Sequence, residues 1–461
     1  MSVPSSAETG RAADRPQASA LSRSRILAYG VPSIGFASGL FFLEFYFLKF
    51  ATDVLLLAPA AVGVLFAAGR IVDAISNPVV GYLSDRTAHP LGRRRPWLLG
   101  AILPFCGALF MLWNPPQAMA AAGLLAWTAC GLFLFYVSHA SYEIPYLALG
   151  MELSPDFHER SRIFGVQRMA FTFGMIMAFA LIQVVATSAD PRAVAGRVGL
   201  GLALAVALLL LIPPLVLREG ARSQGRGAGS PLLAVRDVLG NHHARRLLAV
   251  WFIDGLGGGT IGVLAPYVSE YVLERPDLTG LLPAFYVFSA IASIPGWVWL
   301  SRRIGKRPVY LWALVATGTC FGATMLLGEG DLVPIALLMI GAGATGGCAT
   351  ALGPSILADV IDHDEVETHQ RKEGAYSAAT GFAYKLATGL VIFAAGAALE
   401  AAGFVPNQVQ APGTVLTLKV LFGGLPLVGF LTAAWVFRRY SLDEAEHRRL
   451  RGILEARAGD G

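Results

Sequence analysis

The segment GRIVDAISNP, residues 69–78, sets an arginine, a carboxylate and an amide into an otherwise apolar run: Arg70, Asp73 and Asn77. Their i, i+3, i+7 spacing brings all three to one face of a helix. Asp73 lies twelve residues before Asp85, which at 1.5 Å per residue is a depth of about 18 Å. A carboxylate at that depth in hydrocarbon costs about 2.5–3.5 kcal/mol, so it persists only where a partner, water or an ion meets it. The chemistry on offer is the holding of a cation or a proton. Two readings of the stripe stand: it lines an interior cavity, or Arg70 and Asp73 form an ion pair that locks helices together.

Three further charges sit inside apolar segments. Glu143 in SHASYEIPYLALG lies about 10–13 Å from the nearer end of its segment, and Arg168 in FGVQRMAF is shallower. Lys385 in GFAYKLATG lies about 18 Å in from Glu373, level with Asp73. A cation from the second half of the chain facing carboxylates of the first is what a proton or cation site needs, because such groups exchange partners as the halves move. A structural salt bridge between the halves is the other reading of Lys385. Asp254 in WFIDGLGGG is also intramembrane, with no partner assigned from sequence. The glycines beside it suit close helix packing rather than a phosphate loop.

These residues must be positioned by membrane helices. Of 461 residues 55% are hydrophobic and only 15% charged, against about 25% charged in soluble domains. Repeated apolar runs of 18 or more residues can each cross about 30 Å of hydrocarbon, and in lipid such runs must be helical. The chain reads as an all-α polytopic membrane protein with twelve spans. They fall roughly at 27–52, 60–83, 97–114, 118–149, 163–187, 195–217, 247–272, 280–300, 308–327, 332–358, 373–399 and 415–437. With the N-terminus inside, about 28 of the 36 Lys and Arg fall in tails and inner loops and about 3 in outer loops; this asymmetry places both termini in the cytoplasm.

The expected organisation is a tail at 1–24, a six-helix bundle at 25–217, a central cytoplasmic loop at 218–246, a second bundle at 247–439 and a tail at 440–461. GYLSDRTAHPLGRRRPW after span two is echoed by WVWLSRRIGKRPVY after span eight, which indicates parallel repeats. Ser441 and Glu444 form a capping box for a short surface helix. Cys106, Cys130, Cys320 and Cys348 lack metal-ligand spacing and read as small core residues. The basic net charge of +5 lies at membrane edges, so it speaks for orientation and not for nucleic acid. In one cytoplasmic turn stand Asp85, Arg93, Arg94 and Arg95. They fix topology, and when the inner side closes they are expected to pair, as a gate, with acids of ADVIDHDEVETHQRKEG after span ten: Asp359, Asp362, Asp364 and Glu365. No metal cluster, nucleophile elbow or phosphate motif stands out, so the chain does not read as an enzyme.

The order GRIVDAISNPVVGYLSD…GRRRPW, then YEIPYLAL, then LADVIDHDE…RKEGAYSA…YK resembles the glycoside–pentoside–hexuronide:cation symporters of the major facilitator superfamily. Bacterial melibiose carriers and plant sucrose carriers belong to that group. The resemblance runs from YGVPSIGFASG at residue 29 to the twelfth span. It implies the major facilitator fold, two six-helix bundles working by alternating access. It makes Asp73 one of the paired helix-two carboxylates of the cation site and Glu143 the span-four acid that links cation and sugar. Arg168 matches a sugar-contacting arginine, and Lys385 a lysine close to the cation site. Asn77 stands where those carriers have the second carboxylate, Ala37 where they have a sugar-binding acid, and Leu147 and Thr350 where they have aromatic platforms.

The implied function is symport of a sugar or glycoside-like solute, coupled to a proton or to sodium at Asp73. Asp73, Asn77, Glu143 and Lys385 serve coupling, and Glu143 and Arg168 hold the solute. The alternatives are an uncoupled facilitator, a symporter of a lipid-like solute such as the lysolipid symporters of the wider group, or a non-transporting assembly factor. Solute, coupling ion and membrane lipid are the expected partners of a monomer in the cytoplasmic (inner) membrane, with no cofactor and no nucleic acid.

Overall fold

The computed structural model describes residues 21–154, 156–217, 219, 238–368, 372–440, 442, 449 and 452–453. Twelve helices in it are long and apolar enough to cross a membrane. They are α1 (Arg23–Val54), α2 (Pro59–Arg86), α3 (Arg95–Trp113), α4 (Ala121–Glu152), α5 (Glu159–Ala186), α6 (Pro191–Val216), α7 (His242–Tyr271), α8 (Pro276–Ile304), α9 (Lys306–Leu326), α10 (Leu332–Thr368), α11 (Glu373–Ala401) and α12 (Pro412–Phe437). Hydrocarbon leaves each backbone amide no partner except its own helix, which is why these apolar runs wind up.

Pairing within α1–α6 recurs in α7–α12 at an offset of six. Helix α1 packs on α5 and α6, as α7 does on α11 and α12; α4 packs on α2 and α3, as α10 does on α8 and α9. The motif echo noted above thus corresponds to two equivalent six-helix bundles. They meet along α2 with α11, α1 with α7, and α5 with α8.

Small residues let backbones touch. A Cβ on Gly343 or Gly347 of α10 would lie 2.1 Å from Tyr286 O or 2.3 Å from Ala290 O of α8. Between the bundles, a Cβ on Gly63 would meet Ile392 O at 3.2 Å, and one on Gly396 would meet Pro59 O at 2.3 Å. Gly347→Val is therefore expected to lose about 1–3 kcal/mol or more, the usual result of overpacking. Gly107→Val, where a Cβ meets nothing within 4 Å, is expected to be neutral; thermal unfolding in detergent compares the two.

Two boundaries differ from the sequence reading. Helix α7 starts at His242, where the Asn241 side chain accepts from the His243 and Ala244 amides; the end of the basic loop is thus helical. Helix α10 runs on to Thr368 over 37 residues, about 55 Å at 1.5 Å per residue. The acids after span ten therefore stand on a helical extension, not in a loop. Val360 and Ile361 are buried there with Asp359, Asp362 and Asp364, so packing sustains the extra turns. The Ser441–Glu444 capping box, most of the central loop and residues 1–20 of the tail lie outside the described residues.

Candidate functional site

Helix α2 presents Arg70 and Asp73 to a buried junction of both bundles. Asp73 is 1% exposed. Gly69 allows this depth, since a Cβ there would strike the Tyr136 ring of α4 at 2.5 Å. Gly389 of α11 does the same from the other bundle, with a Cβ 2.9 Å from that of Arg70. Pro78 removes one backbone donor from the helix just beyond, which frees the Ala74 carbonyl beside this stripe.

Lys385 of α11 reaches across the bundles, its Nζ 2.8 Å from Asp73 Oδ2 and 3.8 Å from Glu143 Oε2. The ammonium is near enough for Coulomb attraction but out of line for a hydrogen bond, and both Asp73 oxygens lack one. Arg70 stands 3.9 Å from Asp73 through Nη1, while its Nη2 pairs with Glu44 of α1. The Arg70–Asp73 pair is thus the looser of its two contacts. His139 Nδ1 completes the group, 3.7 Å from Glu143 and 4.0 Å from Asp73. Its ring stacks on Phe36 at 4.3 Å, and neither nitrogen has a hydrogen-bond partner. Three carboxylates thus face two permanent cations. With a neutral imidazole one negative charge is left over, and in a buried site that is an invitation to a proton or a small cation.

Asp73, Glu143 and Lys385 are brought together; the other sequence candidates are not. Asn77 stands one turn beyond Asp73 on α2, half-buried, its sealed Oδ1 without a hydrogen bond. Arg168 of α5 is exposed, its guanidinium 5.3 Å from the Phe171 ring. In the basic turn Arg94 pairs with Asp85 at 2.6 Å, and Arg93 with Glu152 of α4 at 2.5 Å. The amides of Arg93, Arg94 and Arg95 donate to the Glu219 carboxylate at 2.8, 2.8 and 3.0 Å. Asp359 pairs with Lys306 at 2.7 Å and Asp364 with Lys372 at 3.7 Å, while Asp362 and Glu365 share their helix. Among the described residues, Arg93, Arg94 and Asp85 on one side and Asp359 on the other each have an ion-pair partner within their own bundle in this structure.

Contacts between bundles concentrate at the far end, opposite the basic turn. Lys49, 3% exposed, pairs with Asp53 of its own helix and with Glu270 of α7 at 2.7 Å. It lies 4.6 Å from the centre of the Tyr271 ring, whose hydroxyl donates to Asp53 Oδ2 at 2.5 Å. Thr52 Oγ1 and Tyr267 Oη share a hydrogen at 2.8 Å, and Asn407 Nδ2 donates to Asp53 O at 2.8 Å. Gln183 of α5 accepts from the Gly280 amide at 2.9 Å and donates to Asp277 O at 2.7 Å. The last turn of α1, Phe50–Val54, is π-wound, a form that recurs at functional positions.

Glu44, His139 and the Lys49–Asp53–Glu270 group were not singled out from sequence. Glu44, Lys49 and Asp53 lie in GLFFLEFYFLKFATD, where the argument applied to Asp73 holds equally. His139 stands four residues before Glu143 and so shares its helix face.

The family model described as MFS/sugar transport protein matches residues 28–444. The chain belongs to this family. In agreement with the resemblance read from its motifs, this MFS protein is a multi-span membrane transporter and not an enzyme. It is 26% identical to the sodium-dependent lysophosphatidylcholine symporter 1-A of Danio rerio, over 87% of this chain and 82% of that one. It is 23% identical to the isoprimeverose transporter of Lactiplantibacillus pentosus, over 90% and 87%. In fold it is similar to the crystal structure of a D-xylose–proton symporter, with a TM-score of 0.67 at 14% identity, over 91% of this chain and 98% of that one.

Proposed function

We propose that this MFS transporter carries a sugar or glycoside-like solute together with a proton or sodium ion. The observation that carries the reading is the cross-bundle cluster, in which Lys385 of one bundle sits on Asp73 and Glu143 of the other with one negative charge uncompensated. A cation entering the cluster competes with Lys385 for those carboxylates. Its arrival loosens the contact between bundles, and its departure restores that contact. Coupling thus falls to Asp73, Asn77, Glu143 and Lys385, and solute holding to Glu143 and the exposed Arg168. The isoprimeverose relative supports a glycoside.

A lipid-like solute is the second reading, supported by the lysophosphatidylcholine relative and by Ala37, Leu147 and Thr350, which stand where the carriers this chain resembles have sugar contacts.

The basic end is assigned to the cytoplasm by its Lys and Arg, with both termini there, in the inner membrane of a bacterial cell. Tight contacts at the far end and separately tied groups at the basic end then describe an inward-facing state. In the opposite state Arg93, Arg94, Arg95 and Asp85 meet Asp359, Asp362 and Glu365 as the cytoplasmic gate. One chain supplies both bundles and works as a monomer in lipid.

Uptake into proteoliposomes tests the reading, with labelled isoprimeverose, a mixed glycoside pool and lysophosphatidylcholine as probes. Each is offered under a proton gradient, a sodium gradient or neither. Accumulation above equilibrium under one gradient, and equilibration only without it, is the expected result. Equal uptake under all three conditions selects an uncoupled facilitator.

A further inference from the structure

Asp254 lies outside the cluster just described, on α7 in the second bundle. Among the described residues its carboxylate has no hydrogen-bond or ion-pair partner, and burial is the main influence on it. Asp73 differs: Lys385 and Arg70 already stand against it. A cation that reaches Asp254 therefore has no resident cation to displace.

The surroundings of that carboxylate are shaped for a cation. It opens on a recess formed with Tyr310 and Thr317 of α9, Thr345 and Gly346 of α10, and Phe430 of α12. The free room is about 10 Å³, the space of one water molecule. Thr317 Oγ1 lies 2.8 Å from both Ala313 O and Thr345 Oγ1 and gives its single hydrogen to one of them, while Thr345 Oγ1 donates to Gly341 O at 2.9 Å. Both hydroxyl protons are thus turned onto the protein, which leaves oxygen lone pairs for the recess. Tyr310 Oη accepts from Trp251 Nε1 at 3.2 Å, and the Phe430 ring lines another wall. Carboxylate, hydroxyl oxygens and an aromatic face together favour positive charge.

We propose that the Asp254 recess binds one water-sized monovalent cation, held by the carboxylate and the Thr317, Thr345 and Tyr310 oxygens. Two sources share this chemistry: a free alkali ion, and the primary ammonium head of a solute. A choline head is too large for the room available. The site is separate from the Asp73 cluster, and its occupation is independent of which ion drives transport.

Thermal unfolding of the full chain in detergent, followed by tryptophan fluorescence at constant ionic strength, tests it. Sodium, lithium, potassium or methylammonium chloride replaces choline chloride at pH 8. At least one of these cations is expected to raise the unfolding midpoint by several degrees over choline. That gain should disappear in Asp254→Asn, shrink in Thr345→Val and survive in Asp73→Asn. A response to sodium or lithium alone identifies a free ion, and one to methylammonium identifies an ammonium head. Equal midpoints in all salts overturn the proposal in favour of a protonated Asp254 beside a water. A cation response that persists in Asp254→Asn, or that Asp73→Asn removes while Asp254→Asn keeps it, overturns it in favour of the cluster. Failure of uptake with every probe, by contrast, bears on the transport reading and leaves these midpoints as they are.

Discussion

Lys385→Gln is expected to collapse the yield of folded protein, and adding Asp73→Asn to that chain should restore folding without restoring transport. The reason is the 1% exposure of Asp73. Removing one partner of a buried ion pair leaves an uncompensated charge and costs about 3–5 kcal/mol, a large share of a typical total of about 5–15 kcal/mol. Arg70 cannot take over, because its guanidinium is pinned to Glu44 and stays 3.9 Å away. Glu143, 28% exposed at its side chain, tolerates the loss better. In Asp73→Asn alone Lys385 keeps Glu143 at 3.8 Å, so the protein folds but accumulates no solute against a gradient. Size-exclusion profiles and proteoliposome uptake read the two effects separately. A Lys385→Gln protein as stable as its parent would show that Asp73 is neutral in the native cluster.

The second large effect is expected at the far end. Lys49→Met removes the ammonium that joins Asp53 to Glu270 and leaves two carboxylates at one closed seam. Truncating one member of a buried charge pair costs the contact about 2–5 kcal/mol, and at 1.4 kcal/mol per factor of ten this shifts the balance of states by about 30-fold or more. The far end should then stand open in a much larger share of molecules than in the parent. Spin labels at Ala189→Cys and Gln408→Cys, in a chain stripped of its four native cysteines, report the separation of α5 and α11 ends. A distance distribution that Lys49→Met leaves unchanged would mean that Gln183, Asn407 and the apolar packing hold the seam without Lys49.

Much of this architecture is legible in the sequence because hydrocarbon punishes exceptions. Twelve apolar runs, the two-fold motif and the depth of Asp73, Glu143 and Lys385 follow from length, spacing and the helical rise alone. What escaped has physical causes too. Glu44 and Lys49 are surrounded by aromatic residues, so their run reads as one apolar span. His139 is neutral by default, and its meaning comes only from the two carboxylates that the fold places near it. The helical turns of α10 beyond residue 358 are sustained by tertiary burial of Val360 and Ile361, which local sequence does not express. Arg168 illustrates the converse: its depth follows from the helical rise, but its exposure depends on how α5 packs against the rest.

The glycine contacts between α2 and α11 make the seam a bearing. At Gly63 and Gly396 backbone faces backbone, and at Gly389 the near neighbours are the Cβ and Cγ of Arg70. Helix α2 has 28 residues, so each arm about its middle is roughly 21 Å long, and a 10° tilt displaces its ends by about 3.6 Å. That travel exceeds the reach of a 2.7 Å ion pair such as Lys49–Glu270. Asp73, close to the middle of the same helix, travels only a fraction of an ångström. Leverage therefore undoes the seals at the two mouths but leaves the central charges almost where they were. The trigger for a stroke has to be chemical, a change of occupant at the hub, while the mouths merely follow.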